Sequence, residues 1–402
     1  VSETKDPIES AKCPNCLNDG MELFHTMENV PVHSVMNIYT KQDALNFPKG
    51  RIELKFCPSC GFISNRAFDQ KLMGYSEDCQ EAQDYSGTFR NWLSKTSQNF
   101  IDKYDVHGKK IIEIGCGKGE FLNQICRMGG NSGIGVDPAY TDNGESENVN
   151  TEFIPDYYSE KYAYLKGDVI CCRMTLEHIP NPYEFMHIIK RSLEGAKDTL
   201  IYFQVPNADI ILKNCLFEDI YYEHCSYFSS HSLRYLFEKS GFEVLDVRTE
   251  YDQQYLIIEA KHTSKEVTPS LWAEDTKLQA AQLVKGFQNA YAKTMSPWKQ
   301  LITDQAANPK KIVIWGSGSK GVSFLTRLNI LSEIEYVVDI NPHRQKTYMA
   351  GTGQLVVAPS FLKEYKPDLV VIMNPIYKEE IVKDLDSMGL KPEIRTLGIT
   401  ES

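Results

Sequence analysis

The chain has 402 residues, 42% apolar and 24% charged, which is the make-up of a folded globular protein rather than a disordered one. Its 43 Lys+Arg against 54 Asp+Glu give a net charge of −11. That balance excludes a sequence-independent binder of nucleic acid or anionic membrane, though not a local basic pocket for a phosphorylated substrate. No apolar run approaches the roughly 20 residues that span a bilayer. The opening Val1-Ser-Glu-Thr-Lys-Asp6 holds no apolar signal core, so the expected location is cytoplasmic. A chain of this length exceeds one hydrophobic core, and two or three domains are expected.

Residues 1–75 are loop-rich and read as a zinc-binding module. Two CxxC pairs, Cys13/Cys16 and Cys57/Cys60, supply four thiolates, which suits a tetrahedral Zn²⁺. A closed four-sulfur site leaves no position for substrate, so its role is structural; the alternative is cysteines without metal. Arg51-Ile-Glu-Leu-Lys-Phe56 alternates polar and apolar residues as a half-buried strand does, and Gly61 after Cys60 permits a tight turn. The other cysteines lack such spacing. Several lie in apolar segments, where a thiol behaves as a small hydrophobe. An odd total of 11 in an intracellular setting argues against a disulfide framework.

Residues 76–262 read as the second domain. Helical spacing over 85–105 (Phe89, Trp92, Leu93, Phe100, Ile101) precedes a strand at 110–115, a helix at 120–128 and a strand at 132–137. Later strands are expected at 168–172, 199–205 and 255–260. Alternating β and α elements indicate a doubly wound sheet with ligands at the carboxyl ends of its strands. Glu113-Ile-Gly-Cys-Gly-Lys-Gly119 lies between strand and helix, where Gly115, Gly117 and Gly119 let the backbone turn and approach a ligand. Alone, this also describes a dinucleotide-binding turn. Asp137 closes the next strand, where a carboxylate can accept both ribose hydroxyls, and Asp156 sits where it can accept an adenine amino group. With Glu113 at the strand end, the combination resembles the class I S-adenosylmethionine (SAM) methyltransferases.

Two polar clusters follow. Arg173-Met-Thr-Leu-Glu-His178-Ile-Pro180 trails a strand, so His178 faces the cofactor cleft; it either serves the substrate or fixes its loop by hydrogen bonding. Asp219-Ile-Tyr221-Tyr222-Glu223-His224 packs a carboxylate, an imidazole and two phenols into four residues. Histidine takes a proton near neutrality, and a tyrosine hydroxyl can donate to an enolate. The alternative is a polar helix start with aromatics packed below it.

Residues 263–308 read as a helical connector, with Leu283, Phe287, Ala290 and Tyr291 on one side and Pro297 interrupting the pattern. Residues 309–402 read as a second, Rossmann-like domain with its own turn, Gly316-Ser-Gly318-Ser319-Lys320-Gly321, and Asp339 closing the next strand. Alone this suggests NAD. Lys320 inside the loop points instead to a phosphate or diphosphate of the substrate, and a vestigial Rossmann unit is the third reading.

Over nearly its whole length the chain resembles the bacterial nucleotide-sugar (deoxysugar) C-methyltransferases. The resemblance rests on the two CxxC pairs, the glycine turn at 113–119, Glu177-His178-Ile-Pro180 and the Tyr-x-Glu-His run at 221–224, which leads on to Phe228-Ser229. A Gly316-to-Lys320 turn and Asn374 at a late strand end complete it. It implies an α/β fold in which a SAM-binding sheet joins an N-terminal zinc module and a C-terminal Rossmann-like domain. It also implies a nucleotide-linked 4-keto sugar as substrate, deprotonated at C3 to an enolate that takes the SAM methyl group. His224 would be the general base, Tyr221 and Glu223 would handle the enolate and orient the base, and His178 would lie near the sugar. Tyr222, Ser319, Lys320 and Asn374 are expected to bind substrate. The family's Tyr-x-Tyr-Ser-Ser segment is not matched, and Tyr75 or Tyr85 takes its place. A sugar or polysaccharide O-methyltransferase and a non-catalytic SAM-binding assembly protein are the competing readings. Neither nucleic acid nor membrane is expected as a partner.

Overall fold

The computed structural model describes residues 12–74, 78–80, 82–142, 146, 148–196, 198–305 and 307–398. Strands are numbered in chain order. β1 (Glu22–Pro31), β2 (Lys49–Phe56) and β3 (Ile63–Asn65) form an antiparallel meander. Along β2 the alternation of the sequence puts Ile52, Leu54 and Phe56 into the core. The sheet's fourth strand comes from far along the chain: β9 (Ser226–Tyr227) pairs with β3, Ile63 opposite Tyr227. The N-terminal sheet is therefore closed by the segment that carries Tyr221 and His224. A two-residue strand has no periodicity, so no pattern in the sequence announces this pairing.

The middle of the chain builds a seven-stranded sheet, ordered β10-β11-β8-β7-β4-β5-β6. Its parallel part is β4 (Lys110–Ile114), β5 (Ser132–Val136), β6 (Thr151–Ile154), β7 (Val169–Arg173) and β8 (Leu200–Pro206). β10 (Phe242–Glu250) and β11 (Tyr255–His262) close one edge antiparallel. β4 and β7 are covered on both faces, which explains their nearly unbroken apolar runs. The chain runs outward from β4 in both directions, and such a switch point opens a crevice at the carboxyl ends of the strands.

A single 31-residue helix, Glu274–Asp304, then crosses the molecule. It runs straight through Pro297, where the sequence suggests an interruption. Proline removes one helical hydrogen bond, at about 3 kcal/mol. Packing on both sides of it offsets the loss: Met295 is buried, Trp298 meets Phe324 edge-on at 5.2 Å, and Leu301 and Ile302 cover the C-terminal core. Phe287 on an earlier turn packs against Phe24 and His25 of β1, so the helix joins the first sheet to the last.

The C-terminal sheet is wholly parallel, ordered β14-β13-β12-β15-β16. Its strands are β12 (Ile312–Trp315), β13 (Tyr336–Val338), β14 (Leu355–Val357), β15 (Leu369–Ile372) and β16 (Glu393–Thr396). Direction switches again at β12, and the helix Ser319–Arg327 starts from its glycine turn. Among the described residues no helix is long and apolar enough to cross a membrane.

Candidate active site

The first glycine turn is shaped by its neighbours. A Cβ on Gly115 would lie 2.0 Å from Thr175 Oγ1, and one on Gly119 would lie 2.6 Å from Phe153 Cζ, so both positions are closed to side chains. Gly117 donates its N–H to Asp137 Oδ2 at 2.9 Å, and Ala139 N–H donates to Asp137 Oδ1 at 2.7 Å. Each carboxylate oxygen thus holds one bond and keeps acceptor capacity for a diol. Burial pushes the Asp137 carboxyl upward, and the two backbone donors pull it back. Glu113 is buried in β4, and burial raises it to about 8, against the pull of Arg173. Asp156 lies just past β6 and is exposed. Lys161 Nζ and Tyr162 Oη each donate to its Oδ2 at 2.6 Å, and Tyr157 N–H donates to Oδ1, which holds it down at about 2. Oδ2 thus holds two donors, while Oδ1 holds one and keeps acceptor capacity.

The second cluster is assembled from two loops. Tyr221 Oη lies 2.8 Å from His224 Nε2, and the His178 ring stands edge-on to the His224 ring at 4.9 Å. Glu177 Oε1 is 3.9 Å from His224 Nε2. One nitrogen or oxygen from each of Glu177, His178 and His224 lies within 4.8 Å of the others, so the loops converge on one point. They are laced together: Ser226 Oγ donates to Ile179 O at 2.7 Å, Cys225 Sγ to Glu177 O at 3.6 Å, and Asn65 N–H to Cys225 O at 2.9 Å. Pairing of β9 with β3 therefore aims His224. Burial depresses both imidazoles, His178 to about 4 and His224 well below its usual 6.5, so both rings are neutral at neutral pH. Burial likewise raises the Tyr221 phenol.

Its two neighbours go elsewhere. Tyr222 and Glu223 form a turn, which carries their side chains away from Tyr221. Tyr222 is fully buried in the N-terminal core, tilted against Phe68 at 5.4 Å, with Asp69 N–H donating to its hydroxyl at 2.9 Å. It is a packing residue and does not line the cavity described next, contrary to the substrate contact expected. Glu223 is buried too, and its partners are in the N-terminal module. Oε1 accepts Ser34 N–H at 2.8 Å with His33 Nδ1 at 3.5 Å, and Oε2 accepts Ser34 Oγ–H at 2.7 Å.

A cavity of about 280 Å³ separates the middle sheet from the C-terminal glycine turn, lined by Tyr85, Tyr221, Gln254, Ser319, Lys320 and Asn374 among others. Met174 lines it as well, while the adjacent Thr175 covers Gly115, so this cavity and the first glycine turn are neighbours across one loop. Tyr75 lies outside the described residues. Lys320 Nζ donates to both oxygens of Asp219 at 2.5 Å, so its charge is already paired. Asn374 and Gln254 exchange amide hydrogen bonds at 2.9 and 3.1 Å. Asp339 Oδ2 accepts from Ser317 N–H at 2.9 Å and from Ser317 Oγ–H, and its Oδ1 accepts from Asn341 N–H at 2.8 Å.

Several residues of this region carry no signal in the sequence. Arg344 is buried and donates to Ser317 Oγ and Ser317 O, both at 2.6 Å, and to the carbonyls of Ser34, Val35 and Gln80. It welds the C-terminal turn to the N-terminal loop that holds His33 and Ser34. Only tertiary contact gives these three residues meaning.

The cysteine quartet fits a metal. Cys13 Sγ–Cys60 Sγ is 3.8 Å and Cys16 Sγ–Cys57 Sγ is 3.6 Å, with all four sulfurs mutually within 4.8 Å. A tetrahedron of ~2.3 Å Zn–S bonds has edges of about 3.8 Å. All eleven cysteines are buried and free of disulfides.

Residues 86–247 match a methyltransferase domain family, and residues 253–391 match the C-methyltransferase C-terminal domain family. Among curated proteins, the C-methyltransferase NovU of Streptomyces niveus is 26% identical over 290 residues, spanning 68% of each chain. Solved structures with local similarity include the magnesium protoporphyrin IX methyltransferase of Synechocystis PCC 6803 with bound SAH (17% identity, 44% of this chain, 84% of that chain, TM-score 0.34). Another is the 1,6-didemethyltoxoflavin-N1-methyltransferase of Burkholderia thailandensis (14% identity, 45% and 83%, TM-score 0.35).

Proposed function

Because this chain is a class I SAM-dependent methyltransferase carrying a C-methyltransferase C-terminal domain, we propose that it methylates C3 of a nucleotide-linked 4-keto sugar through an enolate. The observation that carries this reading is the buried, neutral His224 held 2.8 Å from Tyr221, whose ring lines the cavity. A carbon alpha to a ketone is weakly acidic, and its proton leaves only to a base within hydrogen-bond reach. A neutral imidazole supplies that base, and burial keeps it unprotonated at working pH. When bound, SAM supplies an electrophilic methyl group, and Asp137 would hold its ribose. Tyr221 serves in one of two ways: it donates to the enolate oxygen, or it holds the His224 ring. Ser319, Lys320 and Asn374 would receive the nucleotide side of the substrate, with Lys320 trading Asp219 for a phosphate. The four cysteines would hold a structural zinc.

The test is proton exchange. Incubated in D₂O with a nucleotide-linked 4-keto sugar and no SAM, the protein should exchange the C3 hydrogen. With SAM added, it should yield S-adenosylhomocysteine and a C-methyl product. An O-methyl product formed without C3 exchange would replace this reading with an O-methyltransferase.

Asp137 gives a separate test of the cofactor site. Asp137→Ala should weaken SAM binding by about 10-fold or more, since a charge-assisted hydrogen bond contributes about 1.5–3 kcal/mol. Calorimetry reads this directly. Unchanged affinity would show that the ribose sits elsewhere.

A further inference from the structure

At the end of the cofactor crevice away from Asp137 and Asp156 stands a cation with most of its donors uncommitted. Arg173 ends β7, and the register of Ile114 with Cys172 puts it beside Gly115, the first glycine of the turn. Thr175 Oγ1 lies 3.0 Å from Arg173 O and 3.4 Å from Gly115 O, so the two strand ends meet at this hydroxyl. The Arg173 side chain is held from two directions. Its Nε–H donates to Gln204 Oε1 at 3.0 Å, and its Cζ lies 4.2 Å from the centre of the Phe121 ring, at the start of the helix after the turn. A guanidinium can only donate, so the Gln204 oxygen must face it. Gln204 is buried, and this orientation leaves its Nε2 with no hydrogen-bond partner.

Among the described residues, the bond to Gln204 is the only side-chain hydrogen bond of the half-buried Arg173, and no carboxylate forms an ion pair with it. Glu113 shares its sheet face, since Glu113 pairs with Cys171 two residues earlier, yet the two form no ion pair. A partly desolvated cation is costly to leave without an anion. Lys118, inside the turn, is spent on Ala139 O and Thr141 Oγ1.

The strand order says which anion Arg173 would take. Along β7-β4-β5-β6 come Arg173, the glycine turn, Asp137 and Asp156 in turn. With the SAM ribose at Asp137 and its adenine toward β6, the sulfonium lies over the glycine turn and the amino-acid arm runs on to β7. From β5 to β7 is two strand spacings, about 10 Å, which the extended arm spans. We propose that Arg173 binds the α-carboxylate of SAM through its two Nη groups. A guanidinium held at Nε and stacked on a ring presents a rigid fork, which matches the two oxygens of a carboxylate. Arg173 thereby sets how far the cofactor reaches toward the substrate, since the next residue, Met174, lines the cavity. The assignment needs only that SAM is the cofactor, and it stands whether carbon or oxygen is methylated.

Decarboxylated SAM is the probe, because it keeps the adenosine, the sulfonium and the amine and lacks only the carboxylate. By calorimetry the wild-type protein should bind SAM about 10- to 100-fold more tightly than decarboxylated SAM, the span of a charge-assisted contact. Arg173→Met, whose side chain still covers Phe121, should lose that preference, and so should Arg173→Gln. Affinity for decarboxylated SAM no lower than in wild type shows that the pocket is intact in either variant. Asp137→Ala is the control, expected to weaken both ligands and leave their ratio as in wild type. The proposal is overturned if wild type shows no preference for SAM, or if the preference survives loss of Arg173. It is overturned equally if the variants weaken both ligands alike, which makes Arg173 a packing residue. Loss of nucleoside diphosphate binding with the SAM preference intact would assign Arg173 to the substrate instead.

Discussion

His224→Ala is expected to lower turnover and C3 exchange together by about 10²–10⁴-fold, the span typical of a positioned acid–base group, while SAM affinity is unchanged. The separation follows from the fold. His224 belongs to the segment that closes the N-terminal sheet, whereas Gly117 and Asp137 are held by β4, β5 and the loops behind them. The pH profile gives an independent check. Burial lowers the His224 pKa below 6.5, with His178 and Lys320 adding to the effect. The neutral, base-competent form therefore persists as pH falls past 6.5, and the acidic limb of kcat/KM should lie below that value. An acidic limb at or above 6.5, or a His224→Ala enzyme with near-normal turnover, would make the residue structural.

The parts of this molecule legible in its sequence are those whose signal is local. β4 and β7 read as apolar runs because both of their faces are covered, and the glycine turns read as turns because Thr175 and Phe153 leave no room for a side chain. The connector helix was legible by its apolar stripe, but Pro297 misleads, because the packing that carries the helix through it is tertiary. The site shows the same division. Tyr221 and Tyr222 are chemically alike and adjacent, yet only the pairing of β9 tells which one enters the core. Lys320 and Asp339 look like ligand groups in a one-dimensional reading, and only the fold shows that Lys320 pairs with Asp219 and that Asp339 accepts from Ser317. His33, Ser34 and Arg344 have no motif at all. They enter the site because Arg344 is buried against the loop at 34–35 and needs its carbonyls as acceptors.

Loss of the zinc we propose for the four cysteines should be felt at His224, well outside the cysteine cluster. Cys13, Cys16, Cys57 and Cys60 have no exposure and share a core with Phe62 and Phe228. A thiolate quartet in such a place is tolerable only around a cation, and structural zinc contributes about 10–16 kcal/mol of folding energy in small finger peptides. Protein purified without added zinc should carry about one Zn per chain, and Cys57→Ser should lose it with a large fall in Tm. Cys57 directly follows β2, and the turn that Gly61 N–H closes onto Cys57 O, at 2.9 Å, returns the chain to β3. β3 holds β9, and β9 positions His224. Chelation under conditions that leave the rest of the chain folded should therefore abolish C3 exchange before SAM binding is lost. A metal-free Cys57→Ser protein with unchanged Tm and exchange would show that packing alone holds β3 against β9, with the four sulfurs acting as apolar filler.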